Sequence, residues 1–321
     1  MRDLLTDNFR AFSARIGADP LLIQGPGGNT SIKDAQVMWI KASGKELANS
    51  VSSEIFVAVD RKAAVAEAQG AGDGTCKATV LDPAITLRPS IETTFHAVLD
   101  WRVVAHTHSV AVLAHVTSPA GRQVAQVKLA DLDPVFIPYI KPGRPLTQAI
   151  LERITPQTRV ILLESHGLIV CGETSAETEG LMSRVEDRLR RDPADIAPAT
   201  PGADPLPGFT WAGDENWLAQ DEVAQTRIAA GSYYPDHVVF LGPRLATADN
   251  DTTPPAILVA GEGIQMRDSA TPTQRAMLRC LSDVLRRVPR DWDLAPIGPD
   301  AEAELLNWDA EKYRQSLAKK D

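Results

Sequence analysis

The feature that most constrains this chain is a His-x-His sequence placed directly after a short run of β-branched residues. Val103 and Val104 favour a β-strand, and a strand projects alternate side chains to one face, so His106 and His108 point the same way. Imidazoles on Cα atoms about 6.5–7 Å apart can share one metal ion at about 2.0–2.1 Å per bond. Two polar histidines on the wet face of a half-buried strand would show the same pattern, so the pair alone leaves both interpretations open.

Composition narrows the class of protein. The chain has 321 residues, of which 44% are hydrophobic and 23% charged, as in a soluble globular protein with enough length for a large core. A net charge of -9 argues against nucleic acid or an anionic membrane surface as the main partner. The start of the chain shows no signal-peptide pattern, and the most apolar run, residues 160–170, is too short to span a bilayer. The three cysteines are widely separated and predict no disulfide framework, so we expect a cytoplasmic protein.

Two loops rich in small residues precede the His-x-His sequence. Residues 24–31 (QGPGGNTS) suggest a dinucleotide-binding turn, but Thr30 stands where the third glycine belongs and no helix-forming run follows. The backbone N–H groups and amide of such a turn can still form an anion-binding nest. Residues 41–45 (KASGK) form either an exposed turn or a second part of that anion site.

A carboxylate lies upstream of the histidine pair. Pro89 and Ser90 are typical of a helix start, and the predicted helix runs through His96 to Leu99. Glu92 would lie in the first turn, where the helix dipole favours a carboxylate, and this local reason is sufficient to explain it. His96 lies one turn further along the same face and is expected to pack or to orient a neighbour.

A further histidine follows a second buried strand. Residues 159–164 (RVILLE) predict a strand, and His166 then stands between the strand end and Gly167. This position is poor for core packing and suitable for a functional site. His115 has no partner in the sequence and is expected to be structural.

The remaining patterns outline the domains. Apolar spacing and capping signals predict helices at residues 4–16, 61–69, 110–115, 147–153, 175–190, 272–288 and 301–317, and strands at residues 37–40, 55–59, 136–140, 237–241 and 256–260. Residues 192–208 are rich in Pro, Ala and Asp and form the best linker candidate. The predicted organisation is therefore a domain at 1–191, a linker at 192–208 and a C-terminal α+β extension at 209–321.

Taken together, these motifs resemble the class II aldolase/adducin family, which includes fuculose- and rhamnulose-phosphate aldolases. The resemblance covers about residues 1–190 and rests on five motifs in the family's order: Gly27-Gly28-Asn29-Thr30-Ser31, Ala42-Ser43-Gly44, Pro89-Ser90-Ile91-Glu92, His106-Thr107-His108-Ser109 and Ser165-His166-Gly167. Three C-terminal stretches resemble the aldolase part of fused rhamnulose-phosphate aldolase/short-chain dehydrogenase proteins: Tyr234 to Val239, Gly261-Glu262-Gly263 and Asn307 to Tyr313.

The resemblance implies a three-layer α/β/α fold around a central, mainly antiparallel sheet. It implies Zn²⁺ or another divalent ion on His106, His108 and His166, with an open coordination position as a catalytic metal needs. It makes Glu92 the catalytic carboxylate. It also implies a homo-oligomer, expected to be a tetramer, in which Tyr139 reaches the site of a neighbouring subunit.

The resemblance further implies a phosphate site. The matching positions are Gly28, Asn29, Ser43, Gly44 and Ser90. Family members usually carry two serines before the glutamate, whereas here Ile91 replaces the second. One phosphate donor is thus lost, so the substrate's phosphate is held differently or is absent.

The expected function is a metal-dependent aldolase that cleaves or forms a C–C bond in a ketose, expected to be a ketose 1-phosphate, through a metal-stabilised enediolate. Two other reactions fit the same residues: a sugar-phosphate 4-epimerase and a dehydratase. An adducin-like scaffold without catalysis is a further alternative, although such domains are expected to lack the metal histidines. The expected partner is a small sugar or sugar-phosphate, with no nucleic acid and no membrane.

Overall fold

The computed structural model describes residues 4–247 and 254–319. A seven-stranded sheet positions the histidines singled out by the sequence. Its strands are β1 (Asn29–Lys33), β2 (Val37–Lys41), β3 (Phe56–Asp60), β4 (Val103–Thr107), β5 (Val135–Ile137), β6 (Val160–Leu163) and β7 (Gly167–Gly172). They are ordered β3-β2-β1-β4-β7-β6-β5, and every neighbouring pair is antiparallel except β5 and β6. The strand carrying His106 is therefore central and has a hydrogen-bonded neighbour on each side.

Helices cover both faces of this sheet. The helices between residues 7 and 189 are α1 (Asp7–Ala18), α2 (Arg61–Ala68), α3 (Thr93–Val98), α4 (Val110–Val116), α5 (Pro119–Lys128), α6 (Arg144–Leu151) and α7 (Ser175–Leu189). Residues 113–123, in α4 and α5, are grouped with the C-terminal part of the chain. On one face, α3 and α6 enclose a core in which Phe95 and Ile150 pack with Val104 and Ile169 of the sheet. On the other face, the hydroxyls of Ser13 (α1) and Thr30 (β1) lie 2.7 Å apart. The predicted three-layer α/β/α fold with a mainly antiparallel sheet is confirmed.

A second, four-stranded sheet belongs to the C-terminal part. Its strands are β8 (Phe209–Trp211), β9 (Ala246–Thr247), β10 (Ala256–Val259) and β11 (Gly263–Arg267), in the order β8-β11-β10-β9. The helices of this part are α8 (Trp217–Gln220), α9 (Glu222–Ala230), α10 (Pro235–Leu241), α11 (Pro272–Leu285), α12 (Pro299–Asn307) and α13 (Asp309–Ala318). The expected α+β character of the C-terminal extension is thus confirmed.

The chain folds into two compact units. One comprises Met1–Val112 with Val124–Arg190, and the other comprises Leu113–Gln123 with Arg191–Asp321. Residues 192–208 contain no helix or strand. The predicted boundaries of the domains and the linker remain predictions. Among the described residues, no helix has both the length and the apolar character needed to cross a bilayer.

Local signals predicted some elements well and others badly. Asp60 caps α2 through Ala63 N–H, and Thr271 with Gln274 forms the predicted capping box of α11. The prediction of a strand at residues 237–241 was wrong, because these residues lie in helix α10. All of them are buried. In a fully buried apolar run, the hydrophobic and polar residues do not alternate with a periodicity that would distinguish a strand from a helix.

The helix predicted at residues 301–317 also differs, since the structure contains two helices instead of one. Trp308 has an extended backbone (ψ 125°) that separates α12 from α13.

Candidate active site

The His-x-His pair lies at the carboxyl end of the central strand. In the sheet register, His106 on β4 pairs with Asn29 on one side and with Ile169 on the other. His106 Nδ1 lies 3.0 Å from the carbonyl oxygen of Leu168, an acceptor only, so Nδ1 carries the proton and Nε2 keeps its lone pair. Gly28 permits this close approach of β1, because a Cβ there would lie 2.7 Å from the His106 carbonyl oxygen.

His166 reaches the same place from the turn between β6 and β7. The turn depends on Ser165, which has a left-handed backbone (φ 50°), and on Gly167, where a Cβ would lie 2.2 Å from the Thr107 carbonyl oxygen. This close backbone approach brings the turn against the end of β4. The His166 ring centre then lies 4.8 Å from that of His106 and 5.4 Å from that of His108.

The three histidines form a compact, buried donor set. One ligand nitrogen of each lies within 4.8 Å of the others, as for groups that can bind a single ion. The side chains of His106, His108 and His166 are 0%, 6% and 4% exposed. The structure therefore brings together the three residues that sequence analysis assigned to the metal.

Glu92 faces this set. Its two carboxylate oxygens lie 3.5 Å from His106 Nε2 and 3.4 Å from His166 Nε2. Burial raises the pKa of this carboxyl, but the facing His106 and His166 lower it more. With a 2.7 Å hydrogen bond from the Asn29 amide added, the pKa falls from 4.5 to about 2, so Glu92 is a carboxylate at neutral pH.

The placement of Glu92 corrects one expectation. It does not lie in the first helical turn, because α3 begins at Thr93 and Glu92 is the preceding N-cap residue. Its side chain caps no N–H of the helix, and Ser90 Oγ instead accepts from Glu92 N–H at 3.2 Å. The carboxylate is thus directed to the histidines and away from the helix end.

The predicted phosphate-binding segments lie next to one another. Ala42 bridges to Pro89, and Ser43 N–H donates to the Arg88 carbonyl at 2.9 Å, so the loop with Ser43 and Gly44 runs beside the segment that carries Ser90. The Asn29 amide lies 3.2 Å from Ser90 Oγ. Four of the five predicted positions are therefore linked through these contacts, and Gly28 is the immediate neighbour of Asn29.

Sequence analysis missed the role of Lys41. It is 2% exposed, and its ammonium donates to the carbonyls of Pro26 (2.6 Å), Gly27 (3.4 Å) and Lys45 (2.8 Å). The 41–45 loop is therefore not a plain exposed turn but is tied to the glycine-rich turn at residues 24–31. A lysine at the end of a strand gave no signal of this, because exposed strand ends carry lysine as well.

Tyr139 lies in the segment after β5. Its N–H donates to the Glu164 carboxylate at 3.2 Å, and Glu164 is two residues before His166. Its predicted reach into a neighbouring subunit remains a prediction. His115 is fully buried with its ring 5.6 Å from that of Trp292, in a packing position.

Comparison with known proteins identifies the family of this chain. Residues 13–191 match the family model of the class II aldolase and adducin N-terminal domain. The chain belongs to the class II aldolase/adducin family, as its motifs had predicted.

Individual relatives cover different shares of the chain. The "uncharacterized oxidoreductase YuxG" of Bacillus subtilis (strain 168) is 32% identical over 179 residues, which make up 50% of this chain and 25% of that protein. The N-terminal class II aldolase domain of a conserved Thermoplasma acidophilum protein is 28% identical, with 57% and 93% of the two chains covered and a TM-score of 0.49. L-fuculose-1-phosphate aldolase from Thermus thermophilus is 21% identical, with 59% and 93% covered and a TM-score of 0.40.

Proposed function

We propose that this chain is a metal-dependent aldolase that cleaves or forms a C–C bond in a ketose 1-phosphate. The observation that carries the proposal is the buried set of His106, His108 and His166, with ligand nitrogens within 4.8 Å of one another and the Glu92 carboxylate beside them. A non-catalytic scaffold has no use for four buried titratable groups arranged in this way.

The residues fit a divalent cation, for which we propose zinc. Three imidazoles are a donor set typical of catalytic zinc and leave a further position for substrate. The bond from His106 Nδ1 to the Leu168 carbonyl is the second contact that metal-binding histidines ordinarily make, and it leaves Nε2 available. A cation held there would supply Lewis-acid stabilisation of the negative charge that develops next to a carbonyl.

Glu92 is the residue we assign to proton transfer. Its pKa of about 2 keeps it ionised, and its oxygens lie 3.4–3.5 Å from two of the three histidines of the donor set. A positioned base of this kind contributes about 10²–10⁴-fold to the rate. The half-buried Tyr139 is proposed to act in a neighbouring subunit of a homo-tetramer, where its phenol protonates the oxygen of the incoming aldehyde in condensation and its phenolate accepts that hydroxyl proton back in cleavage.

The loops around Ser43, Gly44 and Ser90, together with the turn at Gly28 and Asn29, are proposed to bind the phosphate. Backbone N–H groups and hydroxyls suit this role, and fixing the phosphate would hold the reacting carbon in place. Lys41 supports it indirectly, since its three carbonyl contacts hold the two loops together.

The first test is metal content. Wild type dialysed against zinc should retain about one ion per chain, and His106→Ala or His166→Ala should lose it, because two imidazoles bind far more weakly than three. His115→Ala, a fully buried histidine outside the donor set, is the matched control and should retain the ion. Full occupancy in both site variants would reject the ligand assignment.

The second test is activity. Glu92→Gln should keep the ion and lower kcat by about 10²–10⁴-fold in a screen of ketose 1-phosphates read by mass spectrometry. Cleavage into two shorter products supports an aldolase. Products of unchanged length with inverted configuration would show an epimerase, and products lighter by one water would show a dehydratase.

A further inference from the structure

His108 differs from the other two proposed metal ligands in how its backbone is held. His106 lies within β4, and His166 lies in the tight turn between β6 and β7. His108 lies beyond the end of β4, in a link of two residues, His108 and Ser109, that leads to the start of α4 at Val110. Strand pairing therefore does not reach His108, and its imidazole depends on the contacts of this link for its position.

The side chain of Ser109 connects this link to two other parts of the fold. Its Oγ accepts from Val112 N–H at 3.1 Å, as an N-cap serine does at the start of a helix. The hydroxyl hydrogen can donate at the same time, and the Glu186 side chain on α7 is its hydrogen-bond partner. Neither contact uses a ring nitrogen of His108, so an ion bound by that ring leaves both in place.

Glu186 is a half-buried residue whose carboxyl group lies inside the protein. Its Oε1 is closed off from solvent and has no hydrogen-bond partner in the described part of the chain. Burial raises the pKa of this carboxyl from 4.5 to about 7, although the Ser109 hydroxyl acts in the opposite direction. Burying a carboxyl with so few partners costs free energy. Stability alone therefore does not explain why a carboxyl lies directly behind the link.

Helix α7 is a firm support for this carboxyl. The helix is 15 residues long and packs against both β4 and α1. Val185 and Leu189, on either side of Glu186, are fully buried. A side chain projecting from such a helix can fix the Ser109 hydroxyl and, through one peptide bond, the backbone of His108.

We infer that Glu186 and Ser109 are positioning residues for His108. The Glu186 carboxyl orients the Ser109 hydroxyl, and that hydroxyl ties the link to the first turn of α4. The His108 backbone is thereby held where its ring meets an ion shared with His106 and His166. The inference rests on the proposed metal site, but it does not depend on which reaction the site performs.

Zinc affinity, measured by competition with a chelator, is the first test. Glu186→Leu and Ser109→Ala should each raise the Kd for zinc about 10-fold, at the lower end of what the loss of an outer partner of a metal ligand costs. Glu186→Gln keeps an oxygen that accepts from the hydroxyl, so its Kd should stay within about threefold of wild type. Thr178→Val is the matched control, because it removes a fully buried hydroxyl elsewhere on α7, and it should leave the Kd unchanged.

A second comparison tests whether the effect acts through His108. In a His108→Ala protein, adding Glu186→Leu should leave the zinc Kd unchanged, because the ligand to be positioned is missing. In a His166→Ala protein, the same addition should still raise the Kd about 10-fold. Direct titration suits both backgrounds, since two imidazoles bind weakly. Equal effects in the two backgrounds, or an unchanged Kd when Glu186→Leu is made alone, would overturn the inference and leave Glu186 a structural residue.

Cobalt gives a readout of ligand geometry that a change in stability alone does not move. The visible absorption of bound Co²⁺ should change in Glu186→Leu and match wild type in Glu186→Gln. If wild type binds zinc and cleaves no ketose 1-phosphate while these variants behave as expected, the proposed reaction fails and the positioning role stands. A wild-type protein that binds neither zinc nor cobalt would overturn both.

Discussion

The buried amine of Lys33 offers a sharp test of the electrostatics around the sheet. Lys33 is 2% exposed on β1 and pairs in register with the fully buried Met38. Among residues 4–247 and 254–319, no hydrogen-bond partner reaches its Nζ. Burial lowers the pKa of Lys33 from 10.5 to about 7, with Arg61 adding to the effect. At 1.36 kcal/mol per pKa unit, this difference corresponds to about 5 kcal/mol against the charged form.

The pH dependence follows from the direction of that shift. Between pH 7 and 10.5 the unfolded chain holds the lysine proton and the folded chain does not, so the free energy of unfolding rises with pH over this window. Lys33→Met keeps the volume and removes the ionisable group. The variant should be more stable than wild type by about 5 kcal/mol at pH 6.5 and by only about 1 kcal/mol at pH 9.5. Urea unfolding at both pH values measures the two differences.

Lys41→Met is the matched control, because Lys41 is equally buried on the neighbouring strand but bound to three carbonyl oxygens. Removing its ammonium leaves those carbonyls without this donor, so the variant should be less stable by about 3 kcal/mol. A Lys33→Met protein that is less stable than wild type, or whose difference from wild type does not change with pH, would refute the reasoning about Lys33.

Two further substitutions probe packing that the site and the C-terminal part require. Gly167→Ala should lower the free energy of unfolding by about 2–3 kcal/mol and weaken zinc retention, since its Cβ would lie 2.2 Å from the Thr107 carbonyl oxygen. Gly180→Ala, in a helix with nothing within 4 Å of the added Cβ, should instead be neutral or slightly stabilising, and equal losses in both variants would contradict the steric argument. Arg314→Leu should destabilise by about 3–5 kcal/mol in calorimetry, because Arg314 pairs at 2.9 Å with the buried Asp236 and with a second buried carboxylate on its own helix. A change below about 1 kcal/mol would show that this ion pair is not needed.

Local patterns in the chain predicted many of the helices and strands, whereas the resemblance of five motifs to a known family supplied the predicted fold and the candidate site residues. The alternation of a strand places His106 and His108 on one face, and the capping residue Asp60 marks where α2 begins. The same local rules explain why the strand prediction at residues 237–241 was wrong. These residues are buried on all sides, so the sequence shows no hydrophobic periodicity there. There, Pro235 at the first turn of α10 was the signal of a helix.

Tertiary structure alone decided what these residues do to one another. Local rules assigned Glu92 to a helix dipole, yet the register of β1 with β4 sets Asn29 beside His106 and directs the carboxylate to the histidines. The ammonium of Lys41 donates to three carbonyl oxygens, whereas no hydrogen-bond partner of Lys33 is found within the described part of the chain. The sequence around the two lysines does not predict this difference. Hydrogen bonds and charge interactions depend on distance in space, and the sheet brings together side chains that are 60 or more residues apart, such as Asn29 and Glu92.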